Sequence, residues 1–541
     1  MTDETLPQSG AGESSEGRLA AEEYIKQAKD GLDVWTDIER YSCEGFQAID
    51  KDDMVRFKWY GVYQQRPKEG HFMMRLKNPG GMISSEQFEE ISKIARDFGN
   101  GFADVTTRQD IQYHYLTIKT IPEVVKRLRT VGITTTGACG DTARNITGCP
   151  VAGVDAHEIF DASAEVLEVT KVFTGNKAFS NLPRKFKMSI SGCPIHCSQP
   201  DINCVGLIGV ERKLNGRTEQ GYMVQVGGGL STDPHMSQRL GIFVPRHEAA
   251  LVCQGIAIVY REHGYRNARR KARIKFLVAD WGAEKFRDEL EKVCGKKFDR
   301  FEDPPAPVIT YRDHTGIFPQ KQKGMNYVGL SILVGRFTAE QGLAIARLAK
   351  KYGNGQVRLT NNQNIIIINV PDTNVNPLVK ELDDSGLSID GSIFRRGTVT
   401  CTGKQFCNLA ITETKDRAKW LIEELDKLLP DYKSPIRIHM TGCTNTCAQS
   451  QIGDIGFIGT LTKHEGERVE GFHILLGGGL GAKREFARPV KKAVAAVLIP
   501  GMIRNILKIY QGEKKDNESF KDFCWRYTPE QLSNFLDGKL S

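Results

Sequence analysis

Four cysteines near the C-terminus have a spacing that can hold an iron–sulfur cluster. They form two close pairs, Cys401-x5-Cys407 and Cys443-x3-Cys447, in a stretch rich in glycine, threonine and asparagine. Four thiolates in two close pairs are what a [4Fe–4S] cluster requires. Structural zinc sites more often have about two to four residues between the ligands of both pairs, so zinc is the weaker alternative. Four buried cysteines without any metal are the least favoured interpretation.

A second cysteine pair belongs to an internal repeat. The segment SGCPIHC (191–197) corresponds to TGCTNTC (441–447), and the segment that begins at Glu86 corresponds to the one that begins at Glu340. The corresponding segments are separated by roughly 250 residues, and their order is the same in both copies. The chain is therefore interpreted as a duplication of one structural unit.

The duplication predicts a different role for the first copy of the cysteine site. In the alignment of the two copies, Cys149 is placed on Cys407, and Cys401 has Ala143 as its counterpart. A site with three of four thiolates cannot hold a closed, all-thiolate cluster in the same way. Arg144, next to the missing ligand, is a fixed cation whose donors suit carboxylates and oxyanions. We therefore expect the first half to bind an anion rather than iron.

The pair Cys193 and Cys197 has two interpretations. These cysteines are either small buried residues or ligands of a second cluster, and burial is favoured because free cysteine packs as a small apolar residue. The residues alone assign no role to Cys139 or Cys149.

The same secondary structure is predicted in each half. A helix that ends at Gly99 is followed by a strand over 111–118 and a second helix over 121–133. The second half repeats the strand and the second helix over 364–370 and 375–387. These patterns indicate an α+β fold with two related halves that pack about a pseudo-twofold axis. A ligand between them would contact both halves, but through different residues.

Composition excludes several classes of function. The chain has 541 residues and a net charge of +8, without the dense basic clusters of a nucleic-acid-binding protein. The N-terminus lacks the basic and apolar regions of a secretory signal, and the longest apolar stretch, over 492–503, is too short to span a bilayer. We expect a soluble, cytoplasmic protein. Thirteen cysteines in such a chain indicate metal or redox chemistry rather than disulfides.

Several motifs together resemble one protein family. They are FMMRLKNPGG (72–81), TTRQDIQYH (106–114), ARNITGCPVAGVDAHEIFD (143–161), NLPRKFK (181–187) and the four-cysteine set. The combination resembles the ferredoxin-dependent nitrite and sulfite reductases, from about residue 30 to the C-terminus. The resemblance implies two cofactors, sirohaem and a [4Fe–4S] cluster coupled to it.

The resemblance also implies the ligands of these cofactors. Cys447, by its position, would bridge the cluster to the sirohaem iron, and Cys401, Cys407 and Cys443 would complete the cluster. Asn445, between the last two ligands, lies where the family contacts sirohaem.

Five basic residues match family positions around the substrate and sirohaem. Arg75, Arg144, Lys185 and Lys187 would line the face where the substrate oxyanion binds, and Arg108 would hold sirohaem carboxylates. Sirohaem carries eight carboxylates, so its pocket needs many cations to offset the cost of burying them. On the predicted strand, Lys185 and Lys187 point to the same face, which favours a joint role over two ordinary surface lysines.

The resemblance implies the following domain boundaries. A disordered tail over 1–28 precedes a ferredoxin-like half-domain over 29–134 and a sirohaem and substrate domain over 135–305. A second ferredoxin-like half-domain over 306–390 and a larger [4Fe–4S] and sirohaem domain over 391–541 follow.

The substrate is expected to be nitrite, although the signals conflict. Lys187 stands where sulfite reductases carry lysine and plant and cyanobacterial nitrite reductases carry asparagine, and an extra cation suits a dianion. The segments over 148–161 and 29–41 resemble nitrite reductases more closely. The expected reaction is therefore the six-electron reduction of nitrite to ammonium, with the reduction of sulfite to sulfide as the alternative.

The electron donor is expected to be reduced ferredoxin. No G-x-G-x-x-G motif follows a strand, so no nucleotide-binding domain is evident. A small acidic ferredoxin suits the positive net charge, and a separate flavoprotein subunit is the alternative donor. We expect a monomer. The alternative from a different class of function is a non-enzymatic binding module that a four-cysteine metal site stabilises. This alternative would account for the cysteines but not for the basic residues.

Overall fold

The sequence repeat is a repeat of structure. The structure is a computed structural model and describes residues 18–302 and 312–539. Within these residues, each half has two five-stranded sheets. One is antiparallel with short strands, and the other is mixed and larger because several of its strands are longer. We call each small sheet with its helices a small unit and each larger sheet with its helices a large unit. This arrangement confirms the predicted α+β fold with duplicated halves.

The two small units exchange strands. Their sheets have the orders β1-β2-β5-β4-β13 and β11-β12-β15-β14-β3, so each half contributes one strand to the sheet of the other. The strands are β1 (Val62–Gln64), β2 (Phe72–Arg75), β3 (Met82–Ser84), β4 (Phe102–Val105), β5 (Ile111–Leu116), β11 (Gly316–Pro319), β12 (Met325–Leu330), β13 (Arg336–Thr338), β14 (Gln356–Leu359) and β15 (Ile365–Pro371). Because of this exchange, the two small units form one continuous core.

The helices of the small units begin in the same way in both copies. The packed helices are α4 (Ser85–Phe98), α5 (Ile121–Thr130), α9 (Ala339–Tyr352) and α10 (Asp372–Asp384). Ser84 and Gln87 form a capping box at the start of α4, and Thr338 and Gln341 form the same box at α9. As predicted, α4 ends before Gly99.

The predicted disordered tail over 1–28 is wrong for the residues that the structure describes. The first small unit is covered by α1 (Ala21–Ala28), α2 (Trp35–Glu44) and α3 (Lys51–Arg56). In α1, Lys26 is buried, lies 2.6 Å from Glu23 and donates to the carbonyl of Leu182 at 2.9 Å. The hydrogen bond to Leu182 anchors the helix, and the polar sequence does not reveal this contact. Residues 1–17 lie outside the described part of the chain.

The two large units share one topology. Their sheets have the orders β10-β9-β8-β7-β6 and β16-β17-β18-β19-β20, and in chain order each has two parallel pairs followed by two antiparallel pairs. The strands of the first are β6 (Ala143–Thr147), β7 (Phe186–Ser191), β8 (Val205–Leu214), β9 (Arg217–Val226) and β10 (Gln238–Pro245), and those of the second are β16 (Thr398–Thr400), β17 (Ile438–Thr441), β18 (Ile455–His464), β19 (Glu467–Leu476) and β20 (Arg488–Ala495).

Helices cover each large sheet and bury an apolar core beneath them. They are α6 (Ser163–Phe173), α7 (Ala249–His263) and α8 (Ile274–Cys294) in the first half, and α11 (Ile393–Gly397), α12 (Lys415–Leu428), α13 (Ile499–Glu513), α14 (Phe520–Trp525) and α15 (Pro529–Leu536) in the second. No helix in the described ranges is both long and apolar enough to cross a membrane.

The structural alignment of the halves corrects the predicted alignment of the cysteines. The main-chain amide just before Cys149 donates to the side chain of Gln109 at 2.9 Å. The amide just before Cys401 donates to the side chain of Gln363, the repeat counterpart of Gln109, at 2.8 Å. Cys149 is therefore the counterpart of Cys401, and the alignment with Ala143 was wrong.

The counterpart of Cys407 is an aspartate. The amide of Cys407 donates to the carbonyl of Gly403 at 2.9 Å, and the amide of Asp155 donates to that of Val151 at 3.0 Å. These two turns occupy the same place in the two halves. The first half thus keeps a residue that can bind a metal at each of the four positions, and the prediction of a missing fourth ligand was wrong.

Candidate active site

Cys447 lies where the two halves meet. Its carbonyl accepts a hydrogen bond at 3.2 Å from the hydroxyl of Thr107, which belongs to the first half. The Cys447 thiolate also interacts electrostatically with Arg75 and Lys185 of the first half, and with Cys401 of its own. This one sulfur therefore lies between the cysteine set and a group of cations across the interface.

The four predicted cluster cysteines converge, but with wide spacing. Burial raises the pKa of Cys401 to about 11 and raises that of Cys407 and Cys443, and the nearby Cys447 thiolate raises all three further. Among the described residues, no three of these four sulfur atoms lie within 4.8 Å of one another. Sulfurs around one tetrahedral zinc ion would be about 3.8 Å apart, given Zn–S bonds near 2.3 Å. The spacing therefore fits a multi-iron cluster better than a single zinc ion.

Two arginines of the predicted substrate face are held by main-chain and side-chain acceptors. Arg75, at the end of β2, donates to Cys139 Sγ at 3.3 Å and to Gln112 Oε1 at 3.2 Å, while its Nε is buried and has no partner. Arg144, on β6, donates to the carbonyls of Ala138 and Gly140. Arg75 thus keeps a free donor, whereas main-chain acceptors fix the position of Arg144.

The two predicted lysines lie in a crowded, positively charged environment. Phe186, the first residue of β7, is fully buried in the core of the first large unit. Lys185, just before the strand, and Lys187, within it, therefore project to the opposite side, as predicted. Burial, and then Arg273 and Arg184, lower the pKa of Lys185 to about 7. Burial, and then Arg108 and Lys185, lower the pKa of Lys187 well below its usual value. In the described part of the chain, no nearby carboxylate offsets the repulsion between these lysines and the neighbouring cations. A bound anion would therefore stabilise the charged form of both lysines.

Arg108 joins the same group of cations. Its guanidinium donates to Asn203 Oδ1 at 2.7 Å and to the carbonyls of Asn145 and Met188, and its Nε is buried without a partner. Burial lowers the pKa of Arg108 to about 10. Asn445 is exposed and lies next to the thiol of Cys443, on the other side of the interface.

Three charged residues of this site were missed by the sequence analysis. Lys77 is buried, donates to Thr174 Oγ1 at 2.9 Å, and has a pKa lowered by burial to about 8. Asp110 is also buried, and burial raises its pKa to about 7. Arg273 precedes α8, and its buried Nε has no partner. Lys77 and Asp110 lie in quoted motifs, whereas Arg273 lies in a short basic run over 266–275 that belongs to none of these motifs.

These side chains fit a polycarboxylate cofactor. The buried Nε atoms of Arg75, Arg108 and Arg273 have no hydrogen-bond partner among the described residues. A buried donor without a partner is costly, and several mutually repelling cations add to that cost. A ligand with many carboxylates would satisfy both, which matches the chemistry of sirohaem.

The corresponding surface of the other half is less basic. A small open cavity lies there, lined by residues that include Cys197, Arg312 and Asn362. Three cations of the first-half group have uncharged counterparts in the repeat, namely Gly329 for Arg75, Asn362 for Arg108 and Pro435 for Lys185, whereas Lys187 has the cation Arg437 as its counterpart. This asymmetry favours the first-half side for an anionic cofactor.

Comparison with known proteins gives consistent similarities. The chain matches the nitrite and sulphite reductase 4Fe-4S domain over residues 139–298 and 393–540, and the nitrite/sulfite reductase ferredoxin-like half domain over 63–131 and 318–385. These matches agree with the large and small units of the structure.

Full-length relatives include both kinds of reductase. An assimilatory ferredoxin-dependent nitrite reductase of Haloferax mediterranei is 38% identical, with 93% of this chain and 91% of the relative covered. A ferredoxin sulfite reductase of Mycolicibacterium paratuberculosis is also 38% identical, with 95% and 96% covered. The solved structure of the NirA protein of Mycobacterium tuberculosis has a TM-score of 0.90 at 35% identity, with 95% of this chain and 97% of that chain covered.

Proposed function

Because this chain belongs to the nitrite and sulfite reductase family, whose cofactors are sirohaem and a [4Fe–4S] cluster, we propose that it is an assimilatory ferredoxin-dependent nitrite reductase. It would reduce nitrite to ammonium with six electrons. The observation that carries this proposal is the position of Cys447, between the cysteine set and the cations of the first half.

The cysteines and polar residues at the interface would hold the cofactors. Cys401, Cys407, Cys443 and Cys447 would bind the cluster, and Cys447 would also link it to the sirohaem iron. Asn445 would contact sirohaem, and Arg108 would bind its carboxylates together with the unpredicted Arg273. When bound, sirohaem supplies the iron at which the substrate is reduced, and the cluster supplies electrons singly.

The basic residues would bind the substrate and supply protons. The guanidinium groups of Arg75 and Arg144 would attract the oxyanion. Lys185, whose pKa burial lowers to about 7, can hold or release a proton near neutral pH. Lys187, on β7, projects to the same side two residues further along the chain. The departing oxygen leaves as water, so nearby proton donors are needed.

Nitrite is proposed as the substrate on the strength of the segments over 148–161 and 29–41. The relatives do not separate the two substrates, since a nitrite reductase and a sulfite reductase are both 38% identical. Lys187 favours sulfite as the second candidate, because an additional cation stabilises a dianion more than a monoanion.

An exposed apolar patch beside the cluster cysteines is a suitable ferredoxin contact. Leu409 is 68% exposed and Ile411 is 40% exposed, two and four residues after Cys407. Arg66 and Lys404 flank this segment, and Arg66 donates to the carbonyls of Lys404 and Asn408. An apolar patch with a basic rim next to the electron entry point is complementary to an acidic donor protein.

The purified protein tests the proposal directly. It should show a haem-type Soret band with a further band to the red, and it should form ammonium from nitrite with reduced methyl viologen as donor. A colourless protein, or one with only the brown absorbance of a cluster, would contradict the reductase assignment. A kcat/KM for sulfite above that for nitrite would replace nitrite with sulfite as the substrate.

A further inference from the structure

Three buried side chains in the first half form a compact group of metal-ligating type. They are Cys149, Asp155 and Cys193, whose ligand atoms all lie within 4.8 Å of one another. Each of the three residues is at most 6% exposed. The group lies on the opposite side of the pseudo-twofold axis from the proposed cluster, so the reductase activity does not account for it.

The group is the duplicate of the cluster site. The main-chain hydrogen bonds align Cys149 with Cys401 and Asp155 with Cys407. Cys193 and Cys197 then correspond to the last two cluster cysteines through the shared Gly-Cys-x-x-x-Cys pattern. The first half therefore has three cysteines and one aspartate at the four ligand positions of the repeat.

One oxygen of Asp155 indicates that a ligand is missing from this group. Oδ1 accepts hydrogen bonds at 3.0 Å from Arg312 and from the amide of His157. Oδ2 is buried and has no hydrogen-bond partner among the described residues. A buried carboxylate oxygen without a partner is costly. The thiols of Cys149 and Cys193 are hydrogen-bonded to each other, and this bond leaves Oδ2 of Asp155 unsatisfied. A cation bound between the two thiols and the carboxylate would satisfy all three groups.

We propose that Cys149, Asp155 and Cys193 bind one zinc ion, which holds the loops of the first large unit together. Cys197, whose thiol lies 3.9 Å from the carbonyl of Arg312 and outside the 4.8 Å group, would turn inward as the fourth ligand. Zinc accepts thiolate and carboxylate ligands in a tetrahedral arrangement with ligand atoms about 3.8 Å apart for two thiolates. The 4.8 Å limit on this group fits that geometry, whereas the cluster cysteines of the second half are more widely spaced. The aspartate in place of the fourth cysteine also makes the site unlike its all-thiolate duplicate.

The surroundings suit a structural metal ion. Val151, Val154, Ile195 and Tyr327 form an apolar cluster around the two buried cysteines. The Arg312 guanidinium, which also donates to the Tyr327 hydroxyl at 3.3 Å, offsets part of the negative charge of the ligands.

Cys197 lines the small open cavity described above, which gives the ion a route from solvent. The ion would thus connect the first large unit to the second small unit, to which Tyr327 belongs.

Metal analysis of the holoenzyme tests this site. The protein is loaded with zinc, freed of loosely bound metal on a chelating resin, and analysed for zinc and iron by mass spectrometry. We expect about one zinc per chain, in addition to the iron of the sirohaem and the cluster. Because Cys193→Ser removes a ligand, this variant should lose roughly 80% or more of the zinc that the wild type retains. Its iron content and its Soret absorbance should stay unchanged.

Cys253→Ser is the matched control, because Cys253 is a buried cysteine of the same half that belongs to no metal-ligating group among the described residues. This variant should keep its zinc. If Cys193→Ser does not fold, cobalt-loaded wild-type protein should still show thiolate-to-cobalt charge-transfer absorbance over that of the cobalt-free sample. Wild-type protein without zinc after loading, or with extra iron and sulfide instead, would overturn the zinc site. This experiment measures bound zinc and not turnover, so the absence of zinc would not contradict the proposed reductase activity. Equally, the absence of reductase activity would not contradict the zinc site.

Discussion

Gln199 and Gln449 exchange hydrogen bonds through their side-chain amides. Gln199 Nε2 donates to Gln449 Oε1 at 2.8 Å, and Gln449 Nε2 donates to Gln199 Oε1 at 2.5 Å. The two residues are repeat counterparts, both are buried, and both have a left-handed backbone conformation. Two equivalent residues can bond reciprocally only next to the axis that relates them. This pair therefore lies on the pseudo-twofold axis between the halves.

Removing one member of this pair should weaken the contact between the halves. Gln449→Ala leaves the buried amide of Gln199 without its partner, which costs about 1–3 kcal/mol. We expect a lower thermal unfolding midpoint for Gln449→Ala and for Gln199→Ala, with a double variant that is less destabilised than the sum. Gln511→Ala, at an exposed position, is the control and should melt like the wild type. Strictly additive effects would contradict a direct coupling.

The repeat in the sequence predicted the duplicated fold but not how the copies interlock. The helix and strand patterns of the small units repeat visibly, and α5, α10, β5 and β15 lie where they were predicted. The exchange of β3 and β13 between the small sheets has no sequence signature, because each strand is only three residues long. The strand with which each of them pairs is determined by packing across the interface.

A buried ion network at this interface gives a second prediction. Asp104, on β4, is 1% exposed and accepts from Arg336 Nε at 2.7 Å, with Lys415 Nζ at 3.7 Å and His114 Nε2 at 3.2 Å. Asp104→Asn would leave two buried cations without their counter-ion, so we expect a loss of about 3–5 kcal/mol in the free energy of unfolding. Glu86→Gln breaks an exposed pair with Lys350 and should cost less than about 1 kcal/mol.

The same network should make stability depend on acidity. Burial by itself would raise the pKa of Asp104, but Lys415, His114 and Arg336 hold it well below its usual range. The contribution of Asp104 to stability is therefore complete above the pKa that an aspartate has in the unfolded chain, about 4. It is lost progressively as the pH falls below that value. Unfolding curves at several pH values should show this loss in the wild type, and Asp104→Asn should lack it. Equal acid sensitivity in both proteins would contradict the assignment.

The candidate site was predictable where it depends on motifs and not where it depends on folding. The cysteines and the basic residues that include Lys185 were identified because they stand in short, recognisable segments. Arg273 was missed because it reaches the site from the start of α8, far along the chain. The alignment of Cys149 was wrong because it matched cysteine to cysteine, whereas the counterpart of Cys407 is Asp155. Only the main-chain hydrogen bonds show the correct register.

The lowered pKa of Lys185 predicts an alkaline limit to activity. Burial, and then Arg273 and Arg184, lower this pKa to about 7, while the carboxylates of bound sirohaem would raise it. Because the anionic substrate needs the charged lysine, kcat/KM should be constant below the pKa and fall above it, with an apparent pKa of about 7 or higher. Lys185→Arg keeps its charge, so its kcat/KM should not fall over the range from about pH 6 to pH 10. The same decline in the variant would exclude Lys185 as its cause.

Lys187 should discriminate between the two substrates. Removing its charge weakens the attraction for a dianion more than that for a monoanion. We expect Lys187→Asn to raise the ratio of kcat/KM for nitrite to that for sulfite on the order of ten-fold, which corresponds to about 1.4 kcal/mol. Lys213→Asn, at an exposed position on β8, is the control and should leave the ratio unchanged. An unchanged ratio in Lys187→Asn would remove this lysine as a determinant of substrate choice.

The exposed side chain of Leu409 should matter for the protein donor alone. It is 68% exposed beside the cluster cysteines, so a ferredoxin docked there would bury it, whereas a small dye would not need it. We expect Leu409→Ser to raise the KM for ferredoxin about five-fold, which corresponds to about 1 kcal/mol, with the methyl viologen-dependent rate unchanged. Val497→Ser, at a 57% exposed position before α13, is the matched control and should alter neither rate. If both rates fall together in Leu409→Ser, the side chain supports the cluster loop rather than the donor. If neither changes, the donor docks elsewhere on the surface.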